Sequence, residues 1–123
     1  MISNRVASQR NGEQYSSAQD RIISGSNTGL ISPKGLDVDS ASGLIFVAEN
    51  NAATPGILIY SSCTSGDAAP LLTLNTAPAL PWDVDYDPSS DKAFVALTNG
   101  TVAVFDQVRS KWLAGNSIID AAD

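Results

Sequence analysis

The 123-residue sequence predicts an all-β chain of about two four-stranded antiparallel units, and three observations carry that reading. The first is internal repetition. A shift of 48 residues lays Asn27-Thr28 on Asn75-Thr76, Pro33 on Pro81, and Asp37, Asp39 and Ser42 on Asp85, Asp87 and Ser90. It also lays Phe46-Val47-Ala48 on Phe94-Val95-Ala96, without a gap. Those are nine identities in the 22 positions from 27 to 48, where roughly one or two are expected from average usage. The second observation is alternation. Gly35-Leu36-Asp37-Val38-Asp39 and Trp82-Asp83-Val84-Asp85-Tyr86-Asp87 alternate apolar and acidic residues, the period of two of a strand with one buried face. The third is turn chemistry, Ser40-Ala41-Ser42-Gly43 after the first of these strands and Pro88-Ser89-Ser90-Asp91 after the second.

The remaining elements follow in order. Near-continuous apolar runs, Leu44 to Ala48 and Ala93 to Leu97, read as second strands covered on both faces, over residues 44–49 and 92–97. Third strands are expected at 57–60 and 101–105, the latter entered through Thr98-Asn99-Gly100, and Asn-Gly is a strong hairpin signal. A fourth strand at 71–74 ends the first unit. Ile118-Ile119, which falls on Ile22-Ile23 at twice the repeat, offers the fourth strand of the second. Helical patterning is weak and confined to Val108 to Leu113. A repeat of about 40–50 residues built of short strands is the signature of a propeller blade array or a solenoid, and four antiparallel strands per repeat make a blade. The expected organisation is a polar segment at 1–20, the last strand and loop of a preceding blade at 21–34, one blade at 35–75 and a second at 76–123.

Composition excludes several classes of function. Hydrophobic residues are 43% and charged residues 16%, so the chain is neither a polyelectrolyte nor a disordered tail. Seven basic residues against thirteen acidic leave a net charge of -6, a poor surface for nucleic acid. No apolar run approaches the roughly 18 residues needed to span a bilayer, and Met1 to Asp20 lacks the apolar core of a signal peptide. The compartment stays open. A single cysteine, Cys63, allows no intrachain disulfide, and the absence of histidine removes the commonest neutral-pH base and imidazole-ligated metals.

Four stretches carry a resemblance. Ile23-Ser24-Gly25-Ser26-Asn27-Thr28-Gly29, then Pro33-Lys34-Gly35-Leu36-Asp37-Val38-Asp39, then Phe46-Val47-Ala48-Glu49-Asn50 resemble an NHL-type propeller repeat in order and spacing. Ser65 to Thr73 is similar to that family's approach to its fourth strand, so the resemblance covers about residues 21 to 106. It implies a ring of about six or seven blades, as in gluconolactonase-like and YVTN-like propellers. The remaining blades would come from a longer chain or from homo-oligomerisation. Related propellers are often periplasmic or extracellular.

The candidate site is a rim of strand ends. In a propeller the loops before the first strand and after the second share one face, which gathers Pro33, Lys34, Glu49, Asn50, Trp82, Asp83, Thr98 and Asn99. The expected ligand-binding set is Lys34, Glu49, Asn50, Trp82, Asp83 and Asn99, with Trp82 a stacking platform for a sugar or peptide. The plainer reading of Trp82 packs it on the next blade, and that of Glu49 and the asparagines is a solvated loop. Asp83, Asp85 and Asp87 share one strand face with neighbours about 6.5–7 Å apart. Asp85 and Asp87 recur as Asp37 and Asp39, and recurrence points to turn formation. Asp83, opposite Gly35 in the repeat, is the odd carboxylate. Asn99-Gly100-Thr101 is a glycosylation sequon more simply explained by the turn, and Gly25 to Gly29 is a turn without the ending of a phosphate loop.

These readings lead to a non-catalytic binding or scaffold module for a protein or small-molecule ligand, without cofactor and with no catalytic or metal-binding residue assigned. The alternative is a lactonase, hydrolase or lyase of the gluconolactonase-like type using Ca2+. The resemblance places that family's metal ligands where Lys34 and Trp82 stand here, and neither binds a hard metal.

Overall fold

The computed structural model describes residues 20–113 and 119–121. The expected polar segment at 1–20 lies almost wholly outside them, as does Ile118. Seven strands follow the repeat: β1 (Pro33–Asp39), β2 (Leu44–Glu49), β3 (Gly56–Ser61), β4 (Leu72–Asn75), β5 (Pro81–Asp87), β6 (Lys92–Leu97) and β7 (Val102–Phe105). A short helix, α1 (Val108–Leu113), and a short strand, β8 (Ile119–Ala121), complete the order. The chain is thus mostly β, with every expected strand of the first unit within two residues of its place.

β1 to β4 form an antiparallel meander and β5 to β7 a second one. Register repeats with the sequence. Asp37 faces Phe46 as Asp85 faces Phe94, and a bulge interrupts each first pair at the same place, between Pro33 and Gly35 and between Pro81 and Asp83. The hairpin between β6 and β7 turns at Gly100, whose φ of 87° is open to glycine without strain.

Two expectations change. The second unit was expected to end on a fourth strand, but β8 adds to the first sheet, parallel to β4. Edge strands present unpaired backbone groups, and the chain returning from α1 satisfies those of β4. The stretch 21–34 was expected to hold a strand of a preceding blade. Before β1 it makes only an isolated parallel bridge, Ile23 to Gly66.

The two sheets stack face to face, and their shared core sets where everything else points. Leu44, Phe46, Ile57, Ile59, Leu72 and Leu74 of the first sheet meet Val84, Tyr86, Ala93, Val95 and Phe105 of the second, closed below by Val108 of α1. The Phe46 and Tyr86 rings stack at 4.6 Å between centroids, a preferred offset geometry for aromatic pairs. At Gly35 the sheets touch through backbone: a Cβ there would lie 2.6 Å from Asp83 Cα and 2.8 Å from the Trp82 carbonyl oxygen. Alternation then divides each unit into two faces. Phe46, Ile57 and Ile59 face the second sheet, while Leu36, Val38, Ile45 and Val47 face away from it. In the second unit the roles reverse, and Val84, Tyr86 and Val95 face the first sheet while Phe94, Val102 and Val104 face outward.

Candidate functional site

The openings of β1 and β5 and the ends of β2 and β6 come together at one edge of the stack. Each unit ties its own loop there with the same bond: the Asn50 N–H donates to the Ser32 carbonyl at 2.9 Å, and the Thr98 N–H to the Leu80 carbonyl at 2.9 Å. The Asn50 side-chain amide then crosses between units, donating to the Pro81 carbonyl at 2.8 Å. Asn50 is half-buried and serves as a strut of the rim.

Lys34 and Trp82 occupy the two bulges, where one residue is left without a cross-strand partner and its side chain is re-aimed. Both are exposed, Trp82 at 58%, and the Lys34 ammonium stands 6.0 Å from the indole centroid. That distance is at the outer limit of a cation–π contact. Asp83 is exposed beside them, and its Oδ1 accepts from the Val84 N–H at 2.9 Å. Trp82 is therefore not packed between the sheets. A flat apolar ring stands in solvent with a cation on one side and a carboxylate next in sequence.

Glu49 leaves this set. Its side chain is fully buried, and its two oxygens accept from the N–H groups of Ile31 (2.9 Å), Ser32 (2.7 Å) and Asn51 (3.2 Å). It fixes the loop that delivers the chain into β1. Nothing local marks this role, since a glutamate ending an apolar strand reads equally well as a solvated loop residue. Asn99 sits at the tip of the β6–β7 hairpin, where its Oδ1 accepts from the Thr101 hydroxyl at 2.5 Å. The turn uses it, as expected of Asn-Gly.

The carboxylates of the alternating strands divide by function. Asp39 and Asp87 hold their turns, Asp39 through the Ser42 N–H at 3.2 Å and Asp87 through the hydroxyls of Ser90 (2.7 Å) and Ser89 (3.0 Å). Those two hydroxyls hold the Asp87 carboxyl below the usual range. Asp37 does not serve a turn. It reaches across the sheets and accepts from the Tyr86 N–H at 2.7 Å, a role that recurrence alone does not distinguish from turn-making. Asp85 and Asp83 lie exposed on the outer face of β5. Among the described residues, no three histidine, cysteine or acidic side chains gather as a metal site.

No family model, curated protein or solved structure matches the chain. The repeat and the rim geometry therefore carry the functional argument by themselves. In this arrangement Lys34, Trp82 and Asp83 are presented together, Asn50 braces the rim through Pro81, Asn99 serves its own hairpin turn, and Glu49 lies beneath.

Proposed function

We propose that the chain is a non-catalytic binding or scaffold module of the NHL-like propeller type, which takes its ligand on the rim around Trp82. The observation that carries the reading is the exposed indole beside Lys34 and Asp83. Burying an aromatic ring is costly to forgo: a side chain of this kind contributes about 1.5–3 kcal/mol when covered. An exposed tryptophan held at a fixed bulge is the residue type that dominates small interfaces. The flanking opposite charges add orientation, since a bound sugar or peptide would meet an ammonium and a carboxylate at defined positions.

Glycan and peptide arrays probed with the chain and with its Trp82→Ala variant test this. The expected result is a set of features bound by the chain and lost by the variant, whose urea midpoint stays where it was. Retention of the same features by the variant, or an array with none bound, overturns the reading.

A further inference from the structure

The stack ends in two exposed apolar faces that correspond, through the repeat, to the two faces buried in its centre. At one end, Leu36 and Val38 are 62% and 53% exposed, and with Ile45 and Val47 they line a groove of about 380 Å³ that also holds Arg21 and Lys34. At the other end, Phe94, Val102 and Val104 are 38%, 65% and 38% exposed, beside a shallower groove lined by Asp83 and Asp85. The 48-residue shift relates each end to the central interface. Leu36 and Val38 are the counterparts of Val84 and Tyr86, while Asp85 and Phe94 are the counterparts of Asp37 and Phe46. The register agrees, because Phe94 lies between Asp85 and Val104 as Phe46 lies between Asp37 and Ile59.

We infer that a second copy of this chain docks head to tail, the Leu36–Val38 face of one copy covering the Phe94–Val104 face of the other. The central interface is the template: one end repeats its upper half and the other its lower half, so the two ends complement each other and not themselves. Charge runs the same way. The groove with Leu36 and Val38 carries Arg21 and Lys34, and the opposite face carries Asp83 and Asp85, so head-to-tail contact pairs opposite signs while contact of like ends opposes equal ones. In the template Asp37 accepts from the Tyr86 N–H. The corresponding pair between copies is the Asp85 carboxylate and the Val38 N–H. Two positions depart from the template. Gly35 lets backbones touch in the centre, where a Cβ would come within 2.6–2.8 Å of opposing backbone, and the second unit has Asp83 at that place, so two copies sit farther apart at this edge than the two sheets do in the centre. The buried Leu44 has Lys92 as its counterpart, at the far end of the same face. A contact of this kind is heterologous and leaves a free end on each dimer, from which it closes into a ring or grows.

Sedimentation velocity of the full chain and of two variants, Val38→Glu and Phe94→Glu, tests the inference at protein concentrations up to about 1 mM. Both positions are exposed in the single chain, and circular dichroism at low concentration verifies that each variant folds. The chain alone should associate. Each variant alone should be monomeric, with self-association at least about tenfold weaker. An equimolar mixture of the two should form a one-to-one dimer and nothing larger, because each variant keeps the face that the other has lost. A chain that stays monomeric throughout the range overturns the inference. So does a variant that self-associates like the parent, which is the mark of contact between like ends, or a mixture that yields no dimer. Lys34 and Asp83 belong to these grooves as well as to the rim, but Trp82 lines neither groove, so array binding lost in Trp82→Ala stands or falls separately from self-association.

Discussion

The backbone N–H of Tyr86 donates to the Asp37 carboxylate at 2.7 Å, joining the first strand of one repeat to the first strand of the next. Tyr86 is fastened at two further points. Its ring stacks on Phe46, and its hydroxyl donates to Asp91 at 2.7 Å. Burial and the neighbouring Asp91 push the Tyr86 hydroxyl well above its usual range, so it stays a proton donor at neutral pH. Asp37→Ala leaves the partly buried Tyr86 N–H without its acceptor and should cost about 1–3 kcal/mol. Asp37→Asn, which keeps an acceptor oxygen, should cost less. Urea unfolding of the two variants measures both, and equal midpoints for Asp37→Ala and the parent chain would show the bond to be inconsequential.

Phe46 and Phe94 occupy the same place in the repeat but not in the structure. Their identical setting predicts two equivalent buried positions between units; Phe46 is fully buried and Phe94 is 38% exposed. The difference arises because only the first unit has a sheet stacked on that face. Phe46→Ala should cost about 3–5 kcal/mol. Phe94→Ala in dilute protein should cost less than about 1 kcal/mol, in the range of surface changes. The comparison is read from the two urea midpoints.

Glu49 should behave as a structural residue under mutation. Glu49→Ala strands three N–H groups of the loop into β1, each costing about 1–3 kcal/mol if left unpaired and buried, less whatever water recovers. Protection of the Ile31, Ser32 and Asn51 amides against hydrogen exchange should collapse together in this variant. Continued protection of all three would return Glu49 to the list of free rim residues.

Asp91 should set part of the acid limit of stability. Burial alone would raise its carboxyl, but the Arg109 N–H, the Tyr86 hydroxyl, and the hydroxyl and N–H of Ser110 outweigh it and hold the group below the usual carboxylate range. A carboxylate depressed in the folded state stabilises fully above its unfolded value, near 3.9. That contribution is lost as the pH falls through the lower folded value. Asp91→Asn should therefore be less stable at neutral pH and show a shallower loss from about pH 4 downward. A parallel displacement of the whole curve, with the acid limb unchanged, would assign the titration to another group.

The strands were legible because their signals are local. Alternation placed β1 and β5, the apolar runs placed β2 and β6, Asn99-Gly100 placed the hairpin into β7, and the faint pattern at Val108 to Leu113 coincides with α1. The rim was legible in part, since the repeat puts Lys34 and Trp82 at equivalent strand openings and the structure presents both to solvent. Glu49 and Asp37 were not. What each carboxylate does depends on N–H groups far off in the chain or in the next sheet, and no spacing rule reports where those arrive. The pairing of β8 with β4 escaped for the same reason: an edge accepts whichever strand reaches it.

By itself, then, the sequence determined the class of the fold, the order and type of its elements, and the division of each strand into two faces. It did so because turn residues and a period of two act within a few residues of where they stand. Only the tertiary structure decided which face of each unit is covered. The two units carry the same pattern, so nothing in the pattern tells Phe46 from Phe94, or Val38 from Tyr86. Stacking buries one member of each pair and leaves the other in solvent, because a stack of two sheets has one interior and two ends.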